Sequence, residues 1–230
     1  MWRIFWKALD ESVRGHVILD SMILLPRFYA IVDSSVREST QDLLAYADEL
    51  ASAGCTLMQY RNKSGNARMM LEQARDLKKH LGASVRLIMN DRADLCLAAD
   101  FDGVHVGQDD LSAESVRRII GPDRWLGVST HNPEQLRDAD RTPADYLAIG
   151  PVFATASKQN PDPVVGLEGV QRGRQLTRKP LVAIGGVTRT NAASVIEAGA
   201  DSVAVISDLL REPRKSAEEF FRILRYGNRR

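Results

Sequence analysis

Eight short runs rich in Val, Ile and Leu recur from Phe28 onward, and a longer amphipathic stretch follows each. They are FYAIV (Phe28–Val32), TLMQY (Thr56–Tyr60), SVRLIM (Ser84–Met89), GVHV (Gly103–Val106), RWLGV (Arg124–Val128), DYLAIG (Asp145–Gly150), PLVAI (Pro180–Ile184) and SVAVI (Ser202–Ile206). Few alternate strictly between apolar and polar, which is the habit of strands covered on both faces. Of the intervening stretches, ARMMLEQARDLKKHLG sets Met70, Leu71, Ala74, Leu77 and Leu81 near helical spacing and stops at Gly82. TRTNAASVIEAG starts near Asn191 and closes on Gly199 in the same way. Strands alternating with helices imply a parallel sheet, and eight such units predict an α/β fold of the (β/α)8 TIM-barrel type. A doubly wound open sheet is the rival architecture, but it offers one switch-point crevice. Here polar clusters follow nearly every strand. The phrases ADFDGVHV, ADYLAIG and ADSVAVI echo one another, each passing through Asp into a strand.

The 230 residues suit one compact barrel, shorter than is typical of that fold. No linker or low-complexity segment divides residues 27–230, which are read as a single catalytic domain with a basic tail after its last helix. Residues 1–26 form an N-terminal extension of open structure: Trp2, Phe5 and Trp6 precede VILDSMILL, and Asp10, Glu11 and Asp20 interrupt it. That pattern argues against a signal peptide. A packed amphipathic helix, a lid and an oligomer contact all remain open, as does a natural start at Met22. A charge balance of 31 basic against 30 acidic residues excludes bulk attraction to nucleic acid but not a local site for a small anion. No apolar run is long enough to cross a bilayer. Cys55 and Cys96 lack metal-ligand spacing and read as buried hydrophobes, consistent with a reducing cytoplasm. A homo-oligomer is compatible with this sequence, which does not fix the subunit number.

Strand C-termini are where barrels build active sites, and the chemistry-bearing residues cluster there. Met89 to Asp110 closes two strand-like runs with Asn90-Asp91 and then with His105 and Gln108-Asp109-Asp110. Asp91 and Asp110 can converge on one Mg²⁺ whose shell is completed by ligand phosphate and water. Each can equally cap the helix that follows, although Ser112 competes with Asp110 for that role. His105 is either a ligand contact or a hydrogen-bonded core histidine. After the second run, alternation sets Gln59 and Arg61 on one face and Tyr60 on the other. Arg61 offers a rigid fork and Lys63 a point charge, a pairing suited to phosphate oxygens. Ser129 or Thr130 can donate to a phosphate or cap a helix, and His131 has no acid–base partner in sequence. The long segment Gly150 to Gln159 holds Thr155, Ser157 and Lys158, which can grip a polyanion and close over a site. Gly185-Gly186 opens a helix after the seventh run, and Ile206-Ser207 ends the eighth; barrels commonly place a phosphate between these two loops. Two anion zones therefore face each other across one barrel mouth. With no Ser-His-Asp or Cys-His arrangement in evidence, displacement of diphosphate by a second, phosphorylated substrate is favoured over hydrolysis.

At these residues the chain resembles the thiamine-phosphate synthase (thiamine-phosphate pyrophosphorylase) family from about Phe28 to Leu210. The matching phrases are Gln59-x-Arg61-x-Lys63, Asn90-Asp91, Asp102 to Asp110, Gly127 to Ser129, Gly150 to Lys158 and Ile184 to Gly186. Each is weak alone, and in this order they are specific. The resemblance implies joining of 4-amino-5-hydroxymethyl-2-methylpyrimidine diphosphate to a thiazole phosphate or its carboxylated form, giving thiamine monophosphate and diphosphate by a dissociative route. It implies Mg²⁺ on Asp91 and Asp110, with Arg61, Lys63, Asn90, Ser129 and Lys158 on the diphosphate. Arg61, Lys63, Ser129 and Lys158 are thereby the expected catalytic set. Gln59 is expected on the pyrimidine and Thr155 and Ser157 on the thiazole side, with His105 nearby. Gly186, Ile206 and Ser207 are expected on the thiazole phosphate. The family pattern is departed from at Asn62, Ala154 and Ser157, where glutamate, proline and threonine are usual. The thiazole tautomerase TenI, of the same fold, and a non-catalytic thiamine-phosphate-binding module are the alternatives.

Overall fold

The computed structural model of the chain describes residues 23–155 and 162–226. All eight apolar runs are strands: β1 Phe28–Asp33, β2 Leu57–Arg61, β3 Arg86–Asn90, β4 Gly103–Val106, β5 Trp125–Thr130, β6 Tyr146–Ile149, β7 Leu181–Ile184 and β8 Ser202–Val205. Every neighbouring pair is parallel, the order follows the sequence, and β8 pairs with β1 to close the ring. Closure excludes the doubly wound alternative. The helices that follow are α1 Thr40–Ser52, α2 Ala67–Leu81, α3 Ala93–Ala98, α4 Ala113–Ile120, α5 Pro133–Asp140, α6 Gly166–Leu176, α7 Ala192–Glu197 and α8 Pro213–Tyr226. Gly82 caps α2 at φ 60°, a conformation that costs an L side chain more than glycine.

Period-two alternation sorts the strand residues into two cores. Val32, Tyr60, Met89, Val106, Leu126 and Val203 point outward into the layer beneath the helices. Tyr29, Ile31, Leu57, Ile88, Tyr146, Ala148, Val182 and Ala204 point inward and fill the barrel. Ile23 and Leu25, which the sequence reading assigns to the extension, pack against this inner cluster. Residues 1–22 lie outside the described residues. Cys55 and Cys96 are buried, and their thiols donate to main-chain carbonyls, Cys55 to Leu57 and Cys96 to Gly103. Burial pushes both thiols up to about 12, so neither is a reactive thiolate at neutral pH.

The repeated Asp phrase marks one device used three times. Asp102, Asp145 and Asp201 each precede an even-numbered strand and accept from the first part of the strand before it: Leu87 N (2.8 Å), Leu126 N (2.6 Å) and Leu181 N (2.8 Å). Each carboxylate also meets a cation from the helix leading into that earlier strand, respectively Lys78, Arg117 and Arg174. Strand start, strand start and helix end are thus clasped together at the N-terminal face, the face that serves stability in this fold. The opposite mouth is left to chemistry.

Candidate active site

A cavity of about 470 Å³ opens at the C-terminal mouth and reaches down to Tyr29, Ile31 and Val182 in the barrel. Such a volume suits a small-molecule site. Gln59 and Arg61 both line it while Tyr60 packs outward, as alternation requires. Lys63, Asn90, Asp91, His105, Asp110, Ser129, Thr155, Gly186, Ile206 and Ser207 also border the cavity. Ser157 and Lys158 lie outside the described residues.

Neither acidic residue takes the rival role of helix cap. Ser112 caps α4 by accepting from Ser115 N. The residue before α3 is Arg92, with no side-chain cap bond. Asp91 is left to face the cavity from a left-handed backbone at φ 62°, a conformation that is uncommon away from glycine and concentrates at functional sites. Its carboxyl pKa is raised, chiefly by burial and further by the Asp110 carboxylate, against the opposing pull of Lys63. Two carboxylates bordering one pocket fit a shared divalent cation. Among the described residues no group of three or more His, Cys, Asp or Glu side chains gathers into a metal cage. A pair of carboxylates matches Mg²⁺, which takes only one or two when substrate phosphates and water complete its shell. Lys63 pairs directly with Asp91, holding cation and acid side by side.

Arg61 is aimed by a residue the sequence reading passed over. Asp33 ends β1, is 5% exposed, pairs with the Arg61 guanidinium and accepts from both the N–H and the hydroxyl of Ser35. Beside them, Asn90 borders the cavity with its buried Nδ2 unpartnered. A buried donor without an acceptor is costly. Asn62, by contrast, is buried away from the site, donating to Tyr60 Oη and Gln73 Oε1 at 3.0 Å each.

His105 is a hydrogen-bonded interior histidine that also lines the cavity. Its Nδ1 lies 3.1 Å from Tyr146 Oη and its Nε2 2.8 Å from Ser129 Oγ. Burial lowers its pKa to about 4, so the ring is neutral at physiological pH. Gln59 Nε2 donates to Tyr29 Oη at 2.9 Å, and the Tyr29 and Tyr146 hydroxyls meet at 3.1 Å. Gly127 makes this possible: a Cβ there would sit 2.2 Å from Tyr146 Cζ and 2.3 Å from His105 Nδ1. His131 ties β5 to the β6 loop, with Nδ1 2.6 Å from Gly150 O and Nε2 3.5 Å from Asp162.

Across the mouth, Gly185 and Gly186 adopt φ 90° and 66°. A Cβ on Gly186 would come within 2.6 Å of Ala154 O, so backbone approach there demands glycine. The Gly186 and Ser207 loops are fastened to each other. Arg189 donates its N–H (2.8 Å) and its guanidinium to Asp208, next to Ser207, and also pairs with Glu219 on α8. Asn191 Nδ2 holds Gly186 O at 3.0 Å. The result is a braced pair of loops bordering the cavity between β7 and β8, a cup floored by glycine backbone.

The sequence matches the family model described as thiamine monophosphate synthase over residues 28–209. The chain belongs to this family. It is 59% identical over 207 residues to the thiamine-phosphate synthase of Koribacter versatilis (strain Ellin345), covering 89% of this chain and 98% of that protein. The Chloroflexus aurantiacus thiamine-phosphate synthase is 44% identical, with 79% of this chain and 83% of that protein covered. Among solved structures, the thiamine phosphate pyrophosphorylase from Pyrococcus furiosus superposes with a TM-score of 0.78 at 31% identity, covering 87% of this chain and 96% of that one. A 3-hexulose-6-phosphate synthase matches at TM-score 0.67 and 16% identity, which shows the shared barrel alone. The residues beside the site that the sequence does not single out are Tyr29, Asp33, Tyr146, Asp208 and Arg189. Of these, Tyr29 and Tyr146 looked like ordinary strand aromatics. Asp33 is separated by 28 residues from the arginine it serves.

Proposed function

We propose that the protein is a thiamine-phosphate synthase, joining 4-amino-5-hydroxymethyl-2-methylpyrimidine diphosphate to the ring nitrogen of a thiazole phosphate. The observation that carries this reading is the unequal equipment of one cavity. Its β2–β5 side gathers Arg61, Lys63, Asn90, Ser129 and the Asp91/Asp110 pair, whereas its β7–β8 side offers the Gly186/Ser207 cup. That is a diphosphate site facing a monophosphate site. A tautomerase acting on one thiazole phosphate has use for the second and none for the first.

The C–O bond between the pyrimidine methylene and the diphosphate breaks, with its electron pair leaving on the diphosphate. The electron-rich aminopyrimidine stabilises the methylene cation, and the thiazole nitrogen lone pair then forms the new C–N bond. No protein nucleophile or proton transfer is required. Arg61 and Lys63 offset charge growing on the leaving oxygen, with Ser129, Asn90 and Lys158 donating to the same group. Asp91 and Asp110 would hold Mg²⁺, which when bound would add charge neutralisation at the diphosphate. Gln59 orients the pyrimidine, and His105 borders it. Thr155 and Ser157 border the thiazole, whose phosphate takes main-chain donors at Gly186, Ile206 and Ser207. Water is the competing nucleophile and has to be kept from the cation. The test is incubation of purified protein with Mg²⁺ and both precursors. Thiamine phosphate is expected only when both are present, and its absence from folded protein that binds them overturns the reading.

A further inference from the structure

The hydrogen bonds inside the barrel form one unbroken line across it: Gln59, Tyr29, Tyr146, His105, Ser129. Its members come from β2, β1, β6, β4 and β5, so only barrel closure assembles it. Both phenols stay protonated, since burial raises them above the ordinary tyrosine range. Each therefore has a single proton to give, and the neutral imidazole has a single N–H. If every one of these protons is used within the line, the direction of one bond sets all the others. Gln59 gives its amide N–H to Tyr29. On that condition Tyr29 donates to Tyr146, and Tyr146 to His105 Nδ1. The His105 proton is left on Nε2, where it is donated to Ser129 Oγ. The Ser129 hydroxyl proton is then free to point into the cavity that Ser129 lines. At the other end Gln59 has its amide oxygen left for the same cavity.

We infer that Tyr29 and Tyr146 are positioning residues: acting through His105 and Gln59, they fix an acceptor at the pyrimidine end of the site and a donor at the diphosphate end. This rests on the synthase reading for the names of the two ends, but the order of protons does not. A reversed line would turn the Ser129 lone pairs toward the leaving anion and repel it. The forward line presents Ser129 as a donor at no cost in reorganisation when charge develops. It also makes Gln59 an acceptor for an exocyclic amine. Gly127 is the permissive element, because any side chain there would occupy the Tyr146–His105 contact.

The test is ¹⁵N NMR of histidine-labelled protein without substrates, with the His105 signals assigned by their loss in His105→Gln. The expected wild-type state is the Nε2–H tautomer. Tyr146→Phe keeps the ring and removes the donor to Nδ1, so a mixture of tautomers is expected. Its kcat should fall about tenfold, the size of one transition-state hydrogen bond, with the KM for the thiazole phosphate unchanged. In a Ser129→Ala background the same substitution should cost almost nothing further, because its effect passes through that hydroxyl. A wild-type His105 protonated on Nδ1 overturns the inference. So does a Tyr146→Phe penalty that is equal with and without Ser129. A Ser129→Ala enzyme of full kcat would instead break the diphosphate role given to Ser129, while the wild-type spectrum still decides the order of the protons.

Discussion

Gly127→Ala probes the barrel interior most sharply. The new methyl would lie 2.2 Å from Tyr146 Cζ and 2.3 Å from His105 Nδ1, whereas relaxed carbon contacts fall at roughly 3.5–4.0 Å. Both rings must therefore move by more than about 1 Å. Tyr146 is fully buried, and His105 is nearly so. Overpacking of this kind costs about 1–3 kcal/mol, and for a chain of this length each kcal/mol lowers Tm by roughly 2–4 °C. A fall of about 2–12 °C is expected in a thermal melt followed by circular dichroism. The 3.1 Å and 2.8 Å bonds on either side of His105 cannot both survive the shift, so kcat should drop along with stability. Gly173→Ala is the control. Its Cβ meets Ile149 and Leu136 at 3.1 and 3.3 Å on the outer side of β6, away from the cavity. It should shift Tm modestly and leave kcat intact. A Gly127→Ala protein that melts and turns over like wild type would refute the packing argument.

Three further outcomes follow from the surrounding contacts. Asp33→Asn loosens Arg61 and should lower kcat/KM for the pyrimidine diphosphate about tenfold, equivalent to ~1.4 kcal/mol, with little change in the thiazole-phosphate KM; steady-state kinetics in each substrate separates the two. Asp208→Asn releases Arg189 from the β8 loop and should do the reverse, raising the thiazole-phosphate KM while sparing diphosphate affinity measured by calorimetry. Asp91 has a folded-state pKa raised above its unfolded value, so its ionisation opposes folding. That cost appears as pH rises from the ordinary carboxylate value through the raised one. Asp91→Asn should therefore raise the metal-free Tm at neutral pH, lose that gain in acid below the ordinary carboxylate range, and abolish activity. A lowered neutral-pH Tm would contradict the assignment.

The strands were legible because a buried parallel strand leaves a short branched-apolar run whatever its tertiary partners, and all eight runs lie within two residues of their observed bounds. Site residues at strand ends were legible for a related reason: Arg61, Asn90, Asp91 and Ser129 break apolar runs with polar groups. The interior line was not. Tyr29 and Tyr146 sit in strands 117 residues apart, and in sequence each is one more aromatic in a core strand. Local text likewise could not say whether Asp91 and Asp110 cap helices, because a cap and a ligand ask for the same residue type. In three dimensions Ser112 caps α4 and Arg92 occupies the position before α3, so neither acid caps a helix. The echoing Asp phrases were visible as text, but their clasp of strand and helix depends on the register of the closed sheet.

Diphosphate is displaced by a second substrate at the barrel mouth rather than by water. Counting both products in one reaction tests this most directly. With Mg²⁺ and both precursors, one diphosphate should be released for each thiamine phosphate formed, and diphosphate release should nearly cease when the thiazole phosphate is omitted. Diphosphate released without thiamine phosphate would make water the acceptor and contradict the account.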